Sequence, residues 1–168
     1  FLCSSYASLD GNSKCVETAE IRTSPKRLFT SFVYSCSVLT FEYVDPNTNT
    51  VNYFLAHVDA MGEHMKDRLK SRLMDLPMDS VKELNIYYGP LCIGSCKKDC
   101  RCNSMNIIKD VISELNLNNK IIKEKNLQVW QTEVSIPANN YNNNGTSEYS
   151  DLKLAHEVDR IFLGKPNN

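Results

Sequence analysis

Two residues with complementary chemistry lie in neighbouring apolar segments of the chain. Cys36 lies within the run FTSFVYSCSVLTFEYV, and His57 lies within NYFLAHV, which follows a short turn. An adjacent imidazolium lowers the pKa of a thiol from its ordinary value of about 8.5, so that thiolate is present at neutral pH. The thiolate can attack an amide carbon, and the imidazole can protonate the departing ammonia. The two residues are therefore a candidate nucleophile and general base.

The turn between the two segments predicts how these side chains meet. Both segments are rich in aromatic and β-branched residues, which favours strands, and residues 45–48 (DPNT) are typical of a turn. A four-residue loop pairs Val44 with Asn49, and the same pairing places Cys36 directly opposite His57. Directly opposed residues have Cβ atoms about 4.5–5.5 Å apart. A slip of one residue would instead put them on opposite faces, as ordinary core residues.

A third polar group should orient the imidazole and fix its tautomer. Thr30 lies on the same strand face as Cys36, but an unbroken strand would hold it some 20 Å away, at about 3.3 Å per residue. Thr30 therefore reaches the site only if the chain bends, and Ser35 is a candidate for the bend. Asp59, two residues after His57 and on its strand face, is the rival.

The pattern along the chain favours an α+β fold. Strand-forming segments come first and then alternate with segments of helical spacing, which predicts a single-domain sandwich spanning residues 1–168, with a mostly antiparallel or mixed sheet and two to three helices. We expect strands at 29–44, 49–58, 83–88 and 127–136, and helices at 61–76, from Asn103 or Ser104 onward, and at 151–163, with an exposed loop at 139–145.

Composition narrows the class of partner. A net charge of −1 over 168 residues gives no basic patch for nucleic acid. No run of about 18 apolar residues is present, so we expect no membrane span. The chain is long enough to fold on a core without disulfides, which favours a cytoplasmic protein with reduced thiols.

Four of the seven cysteines lie within eleven residues: Cys92, Cys96, Cys100 and Cys102. They could hold zinc, although their spacing lacks paired Cys-x-x-Cys motifs. Local disulfides and thiols in an adaptable loop are the alternatives. None is needed for the thiol chemistry, so we expect no metal or cofactor in the reaction.

The segments Cys36-Ser-Val-Leu and Phe54-Leu-Ala-His-Val-Asp-Ala60 resemble the protein N-terminal asparagine amidohydrolases, as do Tyr87-Tyr88-Gly89 and the pair Thr132-Glu133. The wider superfamily includes the chemotaxis-receptor deamidase CheD and deamidating toxins of the cytotoxic necrotizing factor type. Thr30 has the same offset from Cys36 as in CheD-like enzymes. The resemblance covers roughly residues 28–136. CheD-like and toxin members carry a glycine by the nucleophile, as in Gly-Ser-Cys or Ser-Gly-Cys, whereas this chain has Tyr34-Ser35-Cys36.

The resemblance implies a deamidase with Cys36, His57 and Thr30 as catalytic residues. The expected reaction converts an N-terminal asparagine of a protein or peptide to aspartate and creates a degradation signal. Asp59 and Glu133 are the candidates for binding the substrate α-ammonium. Two alternatives stay open: a deamidase of internal glutamine, of the effector, toxin or receptor-deamidase type, and an inactive binding module on the same scaffold. An effector would act in the cytoplasm of a host cell.

Overall fold

The computed structural model describes residues 13–91, 103–130 and 132–137. Within these residues the chain forms eight strands and two α-helices. In chain order they are β1 (Lys14–Cys15), β2 (Ile21–Ser24), β3 (Leu28–Thr30), β4 (Ser37–Asp45), β5 (Thr50–Val58), α1 (Met65–Met74), β6 (Glu83–Tyr88), α2 (Asn103–Glu114), β7 (Ile121–Asn126) and β8 (Val134–Ile136), with a 3₁₀ turn at Met78–Ser80 before β6.

The strands form two sheets. The larger sheet has the order β2-β5-β4-β6-β7, and the smaller has the order β1-β3-β8. Most pairs are antiparallel, but β6 and β7 pair in parallel, as do β1 and β3. The predicted α+β class with a mixed sheet is confirmed.

The larger sheet separates two cores. On one face it packs against α1 and α2, which bury Met65, Leu69 and Leu73 at helical spacing from α1, together with apolar residues of α2. On the other face it packs against the smaller sheet through a second apolar cluster. The molecule therefore has three layers: helices, larger sheet and smaller sheet. The sequence did not predict the division into two sheets.

The β4–β5 hairpin differs from its predicted register by two residues. Asp45 pairs with Thr50, so the loop is residues 46–49, and His57 pairs with Val38 rather than with Cys36. Asn49 closes the loop at φ 56°, a left-handed conformation that asparagine tolerates. Because side chains alternate with a period of two, this shift keeps every residue on its predicted face.

The predicted strand at 29–44 is broken. β3 ends at Thr30 in the smaller sheet, and β4 begins at Ser37 in the larger one. Phe32, at φ 58°, lies in the connecting residues. The chain therefore bends between Thr30 and Cys36, with bends at Tyr34 and at Ser35, the predicted position, and it changes sheets as it does so.

Other boundaries also move. Of the predicted strand at 127–136, only Val134–Ile136 forms a strand, β8, while β7 (Ile121–Asn126) precedes it and was not predicted. Helix α1 begins at Met65, later than predicted, after a turn at 60–64. The cysteine cluster of 92–102, the loop at 139–145 and the predicted helix at 151–163 lie outside the described residues. Among the residues that are described, no helix has the length and apolar character needed to cross a membrane.

Candidate active site

His57 lies in the interior of the larger sheet, where both neighbouring segments hold its backbone. Its N–H donates to Glu20 O at 3.0 Å, and its carbonyl accepts from Ala19 N–H at 2.9 Å. β4 pairs with the opposite edge of the strand. The side chain is fully buried and shares a sheet face with Leu55, a member of the apolar cluster between the sheets. The sheet thus fixes the imidazole between the two sheets.

Thr30 contacts His57 directly. Its Oγ1 lies 2.7 Å from His57 Nδ1 and donates a hydrogen bond to Val16 O, also at 2.7 Å. A hydroxyl has one proton, so Oγ1 must accept from Nδ1–H while it donates to Val16. His57 therefore carries its proton on Nδ1 and a lone pair on Nε2, the tautomer that a general base requires. The chain bend brings Thr30 to the position predicted for the orienting residue.

The charge state of His57 follows from its surroundings. Burial lowers the pKa of His57 to about 3, because an imidazolium in an apolar layer loses its hydration. The ring is therefore neutral at physiological pH. The imidazolium of the thiolate–imidazolium pair expected from the sequence is therefore not the resting state of His57.

Cys36 lies just before β4, on the same sheet face as His57. The residue is 7% exposed, keeps its thiol and packs with Val38, Leu55 and Tyr87 between the sheets. Because Val38 is the residue opposite His57, Cys36 is its diagonal neighbour, at roughly 7–8 Å between diagonal positions. The prediction of direct opposition is wrong, whereas the prediction of a shared face is confirmed.

The second ring nitrogen of His57 is available in this arrangement. Nε2 makes no hydrogen bond with any described residue, so the direct thiol–imidazole bond expected from the sequence is not formed. Catalytic hydrogen bonds are often long before substrate binds, and one water can bridge such a gap. Proton transfer from Cys36 to Nε2 therefore requires a side-chain rotation or a bridging water.

The start of the loop after β6 holds the segment that carries the thiol. Gly89 N–H donates to Cys36 O, and Leu91 N–H donates to Tyr34 O, both at 3.0 Å. A Cβ at Gly89 would lie 2.2 Å from Tyr34 O, closer than any real contact. Only glycine therefore allows the two backbones to approach this closely. Residue 89 must be glycine because of this packing, and not only because a turn follows.

Ser104, near the start of α2, holds the same segment from the helix side. Its Oγ donates to Ser35 O at 3.0 Å and lies 3.0 Å from Ser37 Oγ. Ser104 is fully buried. It thus contacts the residues before and after Cys36. The sequence indicated Ser104 only as a possible start of a helix, because its partners lie 67 and 69 residues away and no local pattern signals them.

Asp59 lies at the end of β5 but does not orient the imidazole. Its Oδ1 accepts from Met61 N–H at 3.0 Å, within the turn that precedes α1. The β4–β5 ladder ends with Ser37 opposite Val58, so the next positions on the two strands are Cys36 and Asp59. The structure therefore brings Asp59 to the Cys36 end of the ladder, while Thr30 makes the contact to His57.

Glu133 lies away from this group. Its carboxylate forms an ion pair with the Arg27 guanidinium, and the two side chains are 1% and 14% exposed. Val134 pairs with Thr30, so the preceding residue points to the opposite face of the smaller sheet from Thr30. The structure does not bring Glu133 to Cys36 and His57, and its carboxylate already neutralises a guanidinium.

The two cysteines among the described residues, Cys15 and Cys36, are in different states. Cys36 is a thiol, whereas Cys15 is disulfide-bonded. The prediction of reduced thiols therefore holds at Cys36 and is wrong at Cys15.

The comparisons with known proteins assign the chain to no family. No protein-family model matches the chain, and no curated protein matches it.

Proposed function

We propose that the protein is a cysteine-dependent amidohydrolase that deamidates a side-chain amide. The observation that carries the proposal is the Thr30–His57 hydrogen bond at 2.7 Å, which leaves a lone pair on Nε2 in the layer that contains the Cys36 thiol. A buried imidazole with one fixed tautomer, beside a thiol on the same sheet face, is the arrangement that base-assisted thiol chemistry needs.

The reaction starts from the neutral His57 ring and the Cys36 thiol. His57 Nε2 takes the thiol proton as the sulfur attacks the side-chain amide carbon. The protonated ring then donates to the nitrogen, and ammonia leaves with formation of a thioester. Water, deprotonated by the same Nε2, hydrolyses the thioester to a carboxylate and restores the thiol. The net change is amide plus water to carboxylate plus ammonia, with no cofactor.

N-terminal asparagine is the proposed substrate. Such a substrate carries an α-ammonium close to the reacting amide, so its site needs an acceptor beside the nucleophile. Asp59 supports this choice because it follows the last rung of the ladder next to Cys36. Its Oδ1 accepts one backbone hydrogen bond, and a carboxylate has further lone pairs for an ammonium. Glu133, paired with Arg27, is not part of this proposal.

Ammonia release from peptides tests the activity. The parent is compared with Cys36→Ala and His57→Ala on peptides that begin with Asn, on peptides that begin with Gln, and on peptides with internal Gln. We expect release from Asn-starting peptides only, with a one-dalton mass gain at residue one, and loss of release in both variants. Release confined to peptides with internal Gln would make internal glutamine the substrate instead of N-terminal asparagine. No ammonia release by the parent from any peptide would contradict the proposed deamidase activity.

Asp59→Asn separates recognition from chemistry. The variant removes the negative charge and keeps an oxygen for the Met61 N–H. We expect the KM for Asn-starting peptides to rise about tenfold, with little change for the same peptides acetylated at the N-terminus. Equal effects on both peptides would exclude Asp59 from α-ammonium binding.

The proposed compartment is the cytoplasm, because a reducing environment keeps Cys36 as a thiol. The disulfide at Cys15 is the observation against it. Alkylation of the protein in intact cells, followed by mass spectrometry, decides the matter: labelling of both Cys15 and Cys36 would support a reducing compartment, and protection of Cys15 alone would exclude it.

A further inference from the structure

We propose that the disulfide at Cys15 is a positioning element of the active site, so that the redox state of Cys15 sets the rate of the reaction. The bond restrains residues 14–20, which we call the clamp segment, and the clamp segment holds His57 in the tautomer that a base requires. The effect on the rate rests on the proposed function. The effect on the tautomer does not, and it follows from the contacts of the clamp segment.

The clamp segment holds both the backbone and the ring of His57. Ala19 N–H donates to His57 O at 2.9 Å, and His57 N–H donates to Glu20 O at 3.0 Å. Val16 O accepts from the Thr30 hydroxyl at 2.7 Å, and the same hydroxyl lies 2.7 Å from His57 Nδ1. Because a hydroxyl has one proton, the bond to Val16 obliges Thr30 to accept from Nδ1–H. The tautomer of His57 therefore depends on the position of the Val16 carbonyl.

The start of the clamp segment is a very short strand. β1 has only two residues and pairs in parallel with β3, a pairing that is slightly less stable per residue than the antiparallel one. Lys14 N–H donates to Arg27 O at 2.9 Å, and Val16 N–H donates to Phe29 O at 2.7 Å. Cys15 lies between these two hydrogen bonds and directly precedes Val16. Its disulfide therefore adds a covalent restraint next to the carbonyl that sets the tautomer.

The disulfide lies on the side of the smaller sheet that faces away from His57. Thr30 points toward His57 in the layer between the sheets, so the neighbouring Phe29 points away from that layer. Cys15 pairs with Phe29 and shares its direction. Cys15 is partly exposed, whereas Val16 is fully buried. A reductant can therefore reach the disulfide without entering the active site.

Reduction should weaken the base and leave the nucleophile unchanged. A dithiol supplies two electrons and two protons: the S–S bond breaks, Cys15 and its partner become thiols, and the dithiol closes to a cyclic disulfide. Once the Val16 carbonyl moves, the Thr30 hydroxyl can donate to His57 Nδ1, which places the ring proton on Nε2. Cys36 is already a thiol, so the dithiol does not alter it.

Ammonia release with and without dithiothreitol tests the effect on the rate. We expect kcat per folded molecule to fall about three- to tenfold on reduction, with KM constant. Mass spectrometry after alkylation verifies that Cys15 is reduced. Cys15→Ser is the matched control: it should have the lower rate from the start and should not respond to dithiothreitol. An unchanged kcat after reduction, or an equal response of parent and Cys15→Ser, would overturn the proposal.

Thr30→Val separates positioning from a general loosening of the fold. Without the hydroxyl, the Val16 carbonyl has no route to the His57 ring, so reduction should leave the kcat of this variant nearly unchanged. The same fold-loss in Thr30→Val as in the parent would show that the disulfide does not act through Thr30. The melting temperature falls on reduction in either case and does not decide between them.

Nitrogen NMR of the His57 ring gives a result that needs no activity. In protein labelled with ¹⁵N-histidine, the His57 signals are those that disappear in His57→Asn. We expect the proton on Nδ1 before reduction and a shift of the population toward Nε2 after it. The two proposals fail separately. A change of tautomer without ammonia release contradicts the activity, whereas ammonia release with the same tautomer and kcat after reduction contradicts the role of Cys15.

Discussion

The two faces of the larger sheet bury different kinds of residue. The helix-covered face is almost entirely aliphatic and aromatic, and its buried serines, Ser37 and Ser104, bond to each other. The face toward the smaller sheet also has an apolar cluster, but it buries His57, Thr40 and Asn85 with open polar atoms. Burying a polar atom without a partner costs free energy. Under the proposed function, the helix face maintains the fold and the inter-sheet face carries the reaction.

A core substitution on the helix face should give the largest effect on stability. Leu69 is fully buried against the sheet, and Leu69→Ala removes methyl groups and leaves a cavity. We expect a loss of about 2–5 kcal/mol in the free energy of unfolding, measured by urea denaturation. Ammonia release per folded molecule should stay near that of the parent. A large fall in that specific activity would show that the two faces are not separate in function.

The buried imidazole predicts a pH-dependent stability. The pKa of His57 is about 3 in the folded protein and about 6.5 in an unfolded chain. The unfolded state therefore binds more protons between these values, and stability falls as the pH drops through this window. The slope from this residue approaches about 1.4 kcal/mol per pH unit.

His57→Asn isolates that slope from the contributions of other groups. Urea unfolding of parent and variant at pH 7, 6, 5 and 4 should show a flatter curve for the variant by about this amount per unit. Parallel curves would show that the folded His57 titrates as it does in solvent, which contradicts its burial between the sheets.

The same contrast explains what the sequence could predict. Segments rich in aromatic and β-branched residues identified β4, β5 and β6, and α1 was visible from Met65, Leu69 and Leu73 at helical spacing. Edge strand β7 was missed because its sequence, IIKEKN, is polar and mostly exposed. The pattern was therefore reliable where one element buries a continuous apolar surface.

The site was predicted in part. Cys36 and His57 were assigned to one face because face depends only on the parity of the register, which survived a shift of two. Their separation was not predictable, because the four-residue loop lies one residue later than expected, with Asn49 in a left-handed conformation at its end. The left-handed conformation of Phe32 was also hidden, since a bulky residue at positive φ is uncommon and has no sequence signal. It lies in the segment whose bend, expected at Ser35, lets Thr30 reach His57.

Removal of the Thr30 hydroxyl should reduce the rate with a smaller effect than loss of the nucleophile. Thr30→Val keeps the shape but leaves His57 Nδ1 without an acceptor, so the ring can adopt the other tautomer and lose its basic Nε2. We expect kcat to fall roughly 10–100-fold with little change in KM, measured by ammonia release. Thr30→Ser should restore most of the rate because it keeps the hydroxyl. Equal loss in both variants would indicate a packing role.

Substitution of Ser104 should have the smallest effect on kcat, and it tests whether a residue of the helix face also contributes to the reaction. It lies on the helix side, yet its hydroxyl holds Ser35 and Ser37 on either side of the thiol. Ser104→Ala removes both hydrogen bonds and should lower the free energy of unfolding by about 1 kcal/mol. If the contact only maintains the fold, kcat per folded molecule will be unchanged. If it positions Cys36, kcat will fall about three- to tenfold with KM constant, and Ser104→Thr, which keeps the hydroxyl, will recover part of the loss. We expect the second result, because both partners are direct chain neighbours of the nucleophile.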